Sequence, residues 1–142
     1  MAQDDFDGLD VAWMAVDALG HVAIFTSGGV GAVPSTAVAS IDITEPELDS
    51  LPETSGFDLL VNLPRPDDFV RFAKRGFFAY DWSDVHRVTR RRIGGYELQA
   101  RPLRPLTLSE LPASLRATAA ATELLDVSFG ASAIPATALL KA

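Results

Sequence analysis

Two short runs in which apolar residues fill both faces of an extended strand constrain this chain more than any other feature. In residues 11–16 (VAWMAV) and 21–26 (HVAIFT), successive side chains point to opposite faces, so Trp13 and Met14 lie on different sides. Gly20 supplies the positive φ that a tight connection between the runs needs. The pattern therefore predicts a hairpin that is central in a sheet and covered on at least one side.

The glycine-rich segment SGGVG follows the second run at residues 27–31. A phosphate-binding loop of nucleotide hydrolases needs a lysine after its last glycine, and no lysine precedes Lys74. The dinucleotide-binding fingerprint needs glycines that open a helix, but these run into Ala32, Val33 and Pro34. A nest of backbone amides stays open as an alternative, although no cation lies nearby in the sequence. We predict that the segment is only the exit from the hairpin.

Helix signals occur at three places. Thr44 and Glu47 form a capping box, which predicts a short acidic helix with Leu48 and Leu51 inward, ended by Pro52 and preceded by a separate small helix at 36–40. Residues 66–75 carry acids in the first turn, Lys74 and Arg75 in the last turn and Gly76 as a left-handed cap, with Phe69, Phe72 and Ala73 inward. Ser109 is the expected cap of a further long helix with Leu111, Leu115 and Ala119 inward.

The remaining elements are predicted strands. They cover residues 57–63, residues 77–82 with Phe78, Tyr80 and Trp82 on one face, a hairpin of 86–93 and 96–103 that turns at Gly94–Gly95, and residues 125–129. Hairpins and separate helices predict an α+β fold. We expect a largely antiparallel sheet of about five to six strands, packed by two longer helices and one or two short ones. Residues 1–142 have the length of a single domain, with residues 1–8 as a disordered tail.

Charge is distributed unevenly along the chain, which carries a net −7. Residues 1–70 carry −12, whereas residues 71–142 carry +5. There is no cysteine, the first residues are acidic, and no apolar run approaches the roughly 18 residues of a membrane span. These features predict a cytoplasmic protein that uses neither disulfides nor a membrane.

The inventory for catalysis is small. Zinc would need carboxylates beside His21 and His86, and Ser27 has no nucleophile motif around it. The paired acids Asp67–Asp68 and Glu45–Glu47 are explained by the start of a helix and by a cap. We therefore expect no enzyme, no cofactor and no metal. A small-ligand domain that unites a histidine with a carboxylate stays open as an alternative.

Four arginines form the sharpest basic cluster, at Arg87, Arg90, Arg91 and Arg92. They could contact phosphates while Trp82 or Tyr96 stacks on bases, which makes a nucleic-acid-binding adaptor a second alternative. The acidic overall balance argues against it, since nucleic-acid-binding domains are basic. Arginines on both faces also suit an edge strand that is protected from aggregation.

Three segments carry a resemblance to a known class of protein: WMAVDALGHVAIFTSGGVGAVP, GFFAYDW and YELQARPLRPLTLSELP. They resemble small bacterial immunity proteins, which are encoded beside secreted or contact-delivered toxins. The resemblance implies a protein partner, a basic toxin domain, that is neutralised by binding. It identifies no functional residue. From the charges alone, the predicted partner-binding residues are Asp42, Glu45, Glu47, Asp49 and Glu53, with Asp81 and Trp82 as a further pair.

Overall fold

The computed structural model of the protein describes residues 8–60, 66–85 and 92–139. Its strands are β1 (Ala12–Asp17), β2 (Val22–Thr26), β3 (Phe57–Leu59), β4 (Phe78–Val85), β5 (Arg92–Pro102), β6 (Glu123–Leu124) and β7 (Ala133–Pro135). Its helices are α1 (Val38–Leu48), α2 (Asp67–Lys74), α3 (Ala113–Ala120) and α4 (Ala136–Leu139). Over these residues the fold is α+β with a mixed, mostly antiparallel sheet in the order β3-β5-β4-β2-β1-β6, as predicted.

The hairpin that dominates the sequence is β1 and β2. Trp13 pairs with Phe25 and Met14 with Ile24 in antiparallel register, and Gly20 has φ +83° in the connection. β2 then pairs in parallel with β4, and β1 pairs in parallel with β6, so the hairpin lies inside the sheet. The central position explains why its two faces are both apolar, because each is covered by other parts of the chain.

Two apolar clusters pack on opposite faces of the sheet. Ala12, Met14, Val22 and Ile24 share one face with helix residues Leu48, Phe72 and Leu115. Trp13, Ala15, Ala23 and Phe25 share the other face with Tyr80, Tyr96, Phe129 and Ile134. The helices α1, α2 and α3 therefore contribute to one layer. The segment after β6 covers the other face.

α1 is longer than the sequence indicates, and the capping box at Thr44 is wrong. Thr44 lies inside the helix, is buried, and donates its hydroxyl to the Ser40 carbonyl at 2.5 Å. Ser40, Thr44 and Leu48 form the buried stripe at i, i+4 and i+8. Two of these residues are small and polar, which hid the helical period. Pro46 lies within the helix and has no N–H, so the Asp42 carbonyl loses its helical donor.

The predicted turn at Gly94–Gly95 is also wrong. Both glycines lie within β5, which pairs with β4 so that Ser83 faces Gly95 and Val85 faces Arg92. The shift of register marks a bulge on β5, where Gly94 has φ +49°. Gly95 is required for another reason, because a Cβ there would overlap the Ile134 carbonyl of β7. The glycines thus allow close strand pairing rather than a chain reversal.

Two boundaries in the last third of the chain differ from the predictions. Thr107, not Ser109, is the cap, and it forms a capping box with Glu110 around a single 3-10 turn; α3 begins later, at Ala113, with Pro112 at its N-cap position. The predicted strand at 125–129 is wrong, since β6 ends at Leu124 and Leu125 is exposed. Phe129 is nevertheless buried, because a turn rather than a strand brings it to the core.

β3 and β7 share one edge of β5. β7 pairs with Gly95–Glu97, and β3 pairs with Ala100–Pro102. β3 confirms the first part of the strand predicted at 57–63; Val61 and Leu63, like the tail before Gly8, lie outside the described residues. Within the described part of the chain, no helix combines the length and apolar character that crossing a membrane requires.

Candidate partner-binding surface

The predicted acidic residues lie on and just after α1. Helical periodicity places Asp42, Glu45 and Asp49 on one face, whereas Glu47 is about 200° around the helix from Glu45. All five acids of the run, Glu53 included, are exposed. The acidic run is therefore a real surface feature, but one that extends around the helix rather than along a single stripe.

Arg71 of α2 gathers three of the surrounding carboxylates. Its guanidinium lies 2.6 Å from Glu45, 3.1 Å from Asp49 and 3.5 Å from Asp68. Partial burial lowers the pKa of Arg71, but the hydrogen bonds that its guanidinium donates to Glu45 and Asp49, together with their negative charges, outweigh this effect, and the net pKa is raised. The fork of guanidinium donors is suited to holding two carboxylates at once.

Arg75, one turn later on α2, extends the same network. It donates to the carbonyls of Leu51 and Arg71 at 3.1 and 3.2 Å, which fixes its position. Its guanidinium then lies 4.0 Å from Asp49 and 3.8 Å from Glu53. The residues from Glu45 to Glu53 are thus tied to α2 by two partly buried arginines.

The network leaves a surplus of negative charge. The carboxylates on and around α1 and α2 form what we call the α1–α2 acidic surface: Asp42, Glu45, Glu47, Asp49, Glu53, Asp67 and Asp68. These seven carboxylates outnumber the cations Arg71, Lys74 and Arg75 by four. Among the described residues, no ion pair involves Asp42 or Glu47. An open groove of about 300 Å³ is lined by Glu53, Asp67, Val70 and the three cations.

Asp81 and Trp82 are not part of the α1–α2 acidic surface. They lie on β4, whereas the acidic run lies on α1, which packs against β1, and in the segment just after it. Asp81 accepts a hydrogen bond from the Thr26 hydroxyl at 2.6 Å. The side chain of Trp82 lies on the face of the sheet opposite to that of Asp81 and is half-buried. Its ring packs edge-on against the Tyr96 ring, with the ring centroids 5.2 Å apart. The structure therefore places this pair separately from the acidic run.

The amides of the glycine-rich loop are already used within the chain. Gly28 N–H donates to the Asp10 carboxylate at 2.9 Å, and Gly29 N–H donates to the Ser27 hydroxyl at 3.4 Å. Ser27 is buried, and its hydroxyl also donates to the Leu9 carbonyl. These amides are therefore already bonded within the chain and do not form an open nest for a phosphate. The loop closes the hairpin, in agreement with the prediction.

The histidine and arginine alternatives gain no support from the described residues. His21 bridges to Thr107 through its backbone, and its ring lies 5.9 Å from the Phe78 ring. Among the residues described, no group of three or more metal-ligating side chains occurs. A groove of about 500 Å³ is lined by residues between Asp126 and Ala138, which include no histidine. His86 and Arg87–Arg91 lie outside the described residues, as does the side chain of Arg92.

Sequence reasoning missed Arg71 as the centre of this surface. It treated the basic residues of α2 only as partners of the helix dipole. The signal that could have found them is the i, i+4 spacing of Arg71 and Arg75, which places both on one face of α2. Comparison of the chain with protein-family models, with curated proteins and with solved structures gave no match.

Proposed function

We propose that this chain is a non-catalytic binding protein that neutralises a basic partner domain, as an immunity protein neutralises its cognate bacterial toxin. The observation that carries the proposal is the α1–α2 acidic surface, four of whose seven carboxylates are held by Arg71 or Arg75. The resemblance of the sequence to immunity-type proteins points the same way. Binding through this surface needs no catalytic group.

The arginine network favours binding because it orders the surface before the partner arrives. Immobilising a long side chain at an interface costs about 0.5–1.5 kcal/mol, and Glu45 and Asp49 are already held by Arg71. Much of the entropic cost of ordering these carboxylates is therefore incurred when the chain folds, before the partner binds. Toxins that act on nucleic acids commonly present basic clefts, which suit such a surface.

The surplus charge acts at longer range. A surface that carries four more negative than positive groups attracts a basic domain over about one Debye length, which is about 8 Å at physiological salt. Such steering raises association rates by about 10- to 1000-fold. Asp42 and Glu47 are the carboxylates best placed to contribute, since no described arginine neutralises them.

The proposal is tested first by asking whether the neighbouring upstream gene encodes a toxic carboxy-terminal domain, and then by using that domain as the binding partner. We expect Asp42→Lys and Glu47→Lys each to weaken binding by up to about fivefold, because an exposed ion pair is worth up to about 1 kcal/mol. The loss falls mainly on the association rate and shrinks with added salt. Surface plasmon resonance at two ionic strengths measures both effects.

Glu123→Lys is the matched control. It changes the net charge by the same amount, but it lies on β6 rather than on α1, α2 or the segment between them. Each of the three variants should keep the melting temperature almost unchanged, since exposed substitutions shift stability by about 0.5 kcal/mol or less. Equal weakening by all three would assign the effect to net charge alone and remove the site. A neighbouring gene without a toxic domain would contradict the function itself.

A further inference from the structure

The outer edge of β3 presents backbone groups that the sheet does not use. Leu60 N–H donates to the Gln99 carbonyl, and Leu103 N–H donates to the Gly56 carbonyl, each at 2.9 Å. Between these contacts Asp58 lies opposite Arg101. Hydrogen bonding alternates along an antiparallel strand, so Phe57 and Leu59 direct their N–H and C=O groups away from β5. Within the described part of the chain, β3 is the last strand of the sheet on this side.

The face of the sheet beside this edge is electrically neutral and carries leucines. Arg101 donates to Asp58 at 2.6 Å across the β3–β5 pair, and both side chains are about half exposed. Leu60 and Leu103 lie on the same face as this pair by strand alternation, and they are 41% and 62% exposed. Leu59, on the other face, is 39% exposed. The edge thus combines outward-facing N–H and C=O groups, partly exposed leucines and an ion pair whose two charges neutralise each other.

We propose that two copies of this chain associate through β3, by antiparallel pairing of the two strands about a twofold axis at Asp58. In that arrangement Phe57 of one copy lies opposite Leu59 of the other, and all four outward N–H and C=O groups of each strand are paired. A twofold axis needs a surface that matches itself, and a three-residue edge with donors and acceptors arranged symmetrically about its centre meets this requirement.

The charges favour a second copy over the basic partner at this edge. The two Asp58 carboxylates meet at the axis, but each is already bonded to Arg101, so the four charges cancel. The basic partner is attracted instead to the α1–α2 acidic surface, which lies on different elements. An edge of three residues buries little area, so the association is weak and depends on concentration.

Two measurements on the wild-type chain test the pairing. The weight-average mass from sedimentation equilibrium should rise from one to two chains as protein concentration increases. Over the same range, amide hydrogen exchange at Phe57 and Leu59 should slow, because these N–H groups become bonded only in the pair. Amides of β1 and β2 serve as the internal reference, since they are paired inside the sheet at every concentration.

Leu59→Pro removes an outward donor while leaving the bonds to β5 intact, and proline is tolerated at such edge positions. We expect it to weaken association about tenfold or more, because twofold symmetry removes two donors at once. Leu59→Val keeps the N–H and the strand propensity, and should change association by about twofold or less. Unchanged exchange at the β1 and β2 amides shows that both variants are folded.

Three results would overturn the proposal. The first is a single-chain mass at all concentrations. The second is protection of the Phe57 and Leu59 amides that does not vary with concentration, which would mean that the chain covers this edge itself. The third is protection that appears only on addition of the basic domain, which would make β3 a binding site for a partner strand. The α1–α2 acidic surface has separate variants, so either proposal can fail without the other.

Discussion

The carboxylate of Asp17 offers the sharpest test of how this fold is held together. It is 3% exposed and accepts three backbone N–H groups: Leu19 at 3.0 Å and His21 at 2.9 Å on Oδ1, and Phe129 at 2.8 Å on Oδ2. The first two contacts close the turn between β1 and β2. The third ties that turn to a residue 112 positions later in the chain. One side chain therefore joins the central hairpin to the segment that covers the sheet.

Asp17→Asn should lower the free energy of unfolding by about 3 kcal/mol. The asparagine oxygen can still accept from Leu19 and His21, but its NH₂ group then faces the buried Phe129 N–H. The lost bond to a charged acceptor is worth about 1.5–3 kcal/mol, and the unpaired buried donor adds to the cost. The two retained bonds also weaken, because their acceptor is no longer charged.

Urea denaturation measures the effect. With a slope of about 2 kcal/mol per M, a loss of 3 kcal/mol moves the midpoint by about 1.5 M. Asp10→Asn is the matched control, because Asp10 is exposed and accepts only from Gly28 N–H among the described contacts. It should change stability by about 0.5 kcal/mol or less. A loss below about 1 kcal/mol for Asp17→Asn would refute the assigned role of the Phe129 contact.

Two further predictions concern packing and pH. Gly31→Ala places a Cβ 2.7 Å from the Tyr96 hydroxyl and 2.8 Å from the Ser27 carbonyl, so thermal unfolding should show a loss of about 1–3 kcal/mol; unchanged stability would mean that the loop relaxes freely. Hydrogen bonds from the Thr107 N–H and hydroxyl lower the pKa of Glu110. Its contribution to stability is therefore present above the unfolded pKa of about 4.3 and is lost as pH falls through the lower folded value. In an NMR titration, the midpoint of Glu110 should be lower in the wild-type chain than in the Thr107→Ala variant. Equal midpoints would contradict the hydrogen bond from the Thr107 hydroxyl to Glu110.

Local patterns correctly predicted those elements in which every residue favours the same secondary structure. In β1 and β2 every position except the last of each strand, Asp17 and Thr26, is apolar, so the pattern predicts burial of both faces, and both are buried. In α2, Asp67 and Asp68 at one end and Gly76 with φ +98° beyond the other leave no competing interpretation. Agreement between propensity, charge and capping made these segments predictable.

Two of the wrong predictions have the same cause, which is that one residue type suits two different structures. Thr44 has the chemistry of a cap, but its hydroxyl bonds within the helix because the i, i+4 contacts of α1 bury it. Gly94 and Gly95 have the chemistry of a turn, but the approach of β7 to β5 requires Gly95. In both cases a distant part of the chain selected between two locally possible conformations.

The candidate surface was predicted only in part. The sequence identified an exposed acidic run, because acids that follow a helical period away from apolar positions remain in water. It did not show that Arg71 and Arg75 hold that run, since α1 and α2 are separated by β3 and meet only in the folded chain. It also proposed Asp81 and Trp82 as a further pair, which the structure places on β4, a different element from the one that carries the run.

By itself the sequence determined the fold class, the central hairpin, the layers on which its side chains lie and the excess of negative charge. These follow from the spacing of residues along one element, which is a local property. Only the tertiary structure decided which carboxylates are neutralised, which glycines pair strands and which strand ends the sheet. Each of those depends on contacts between segments far apart in the chain, and residue spacing alone does not specify which segments meet.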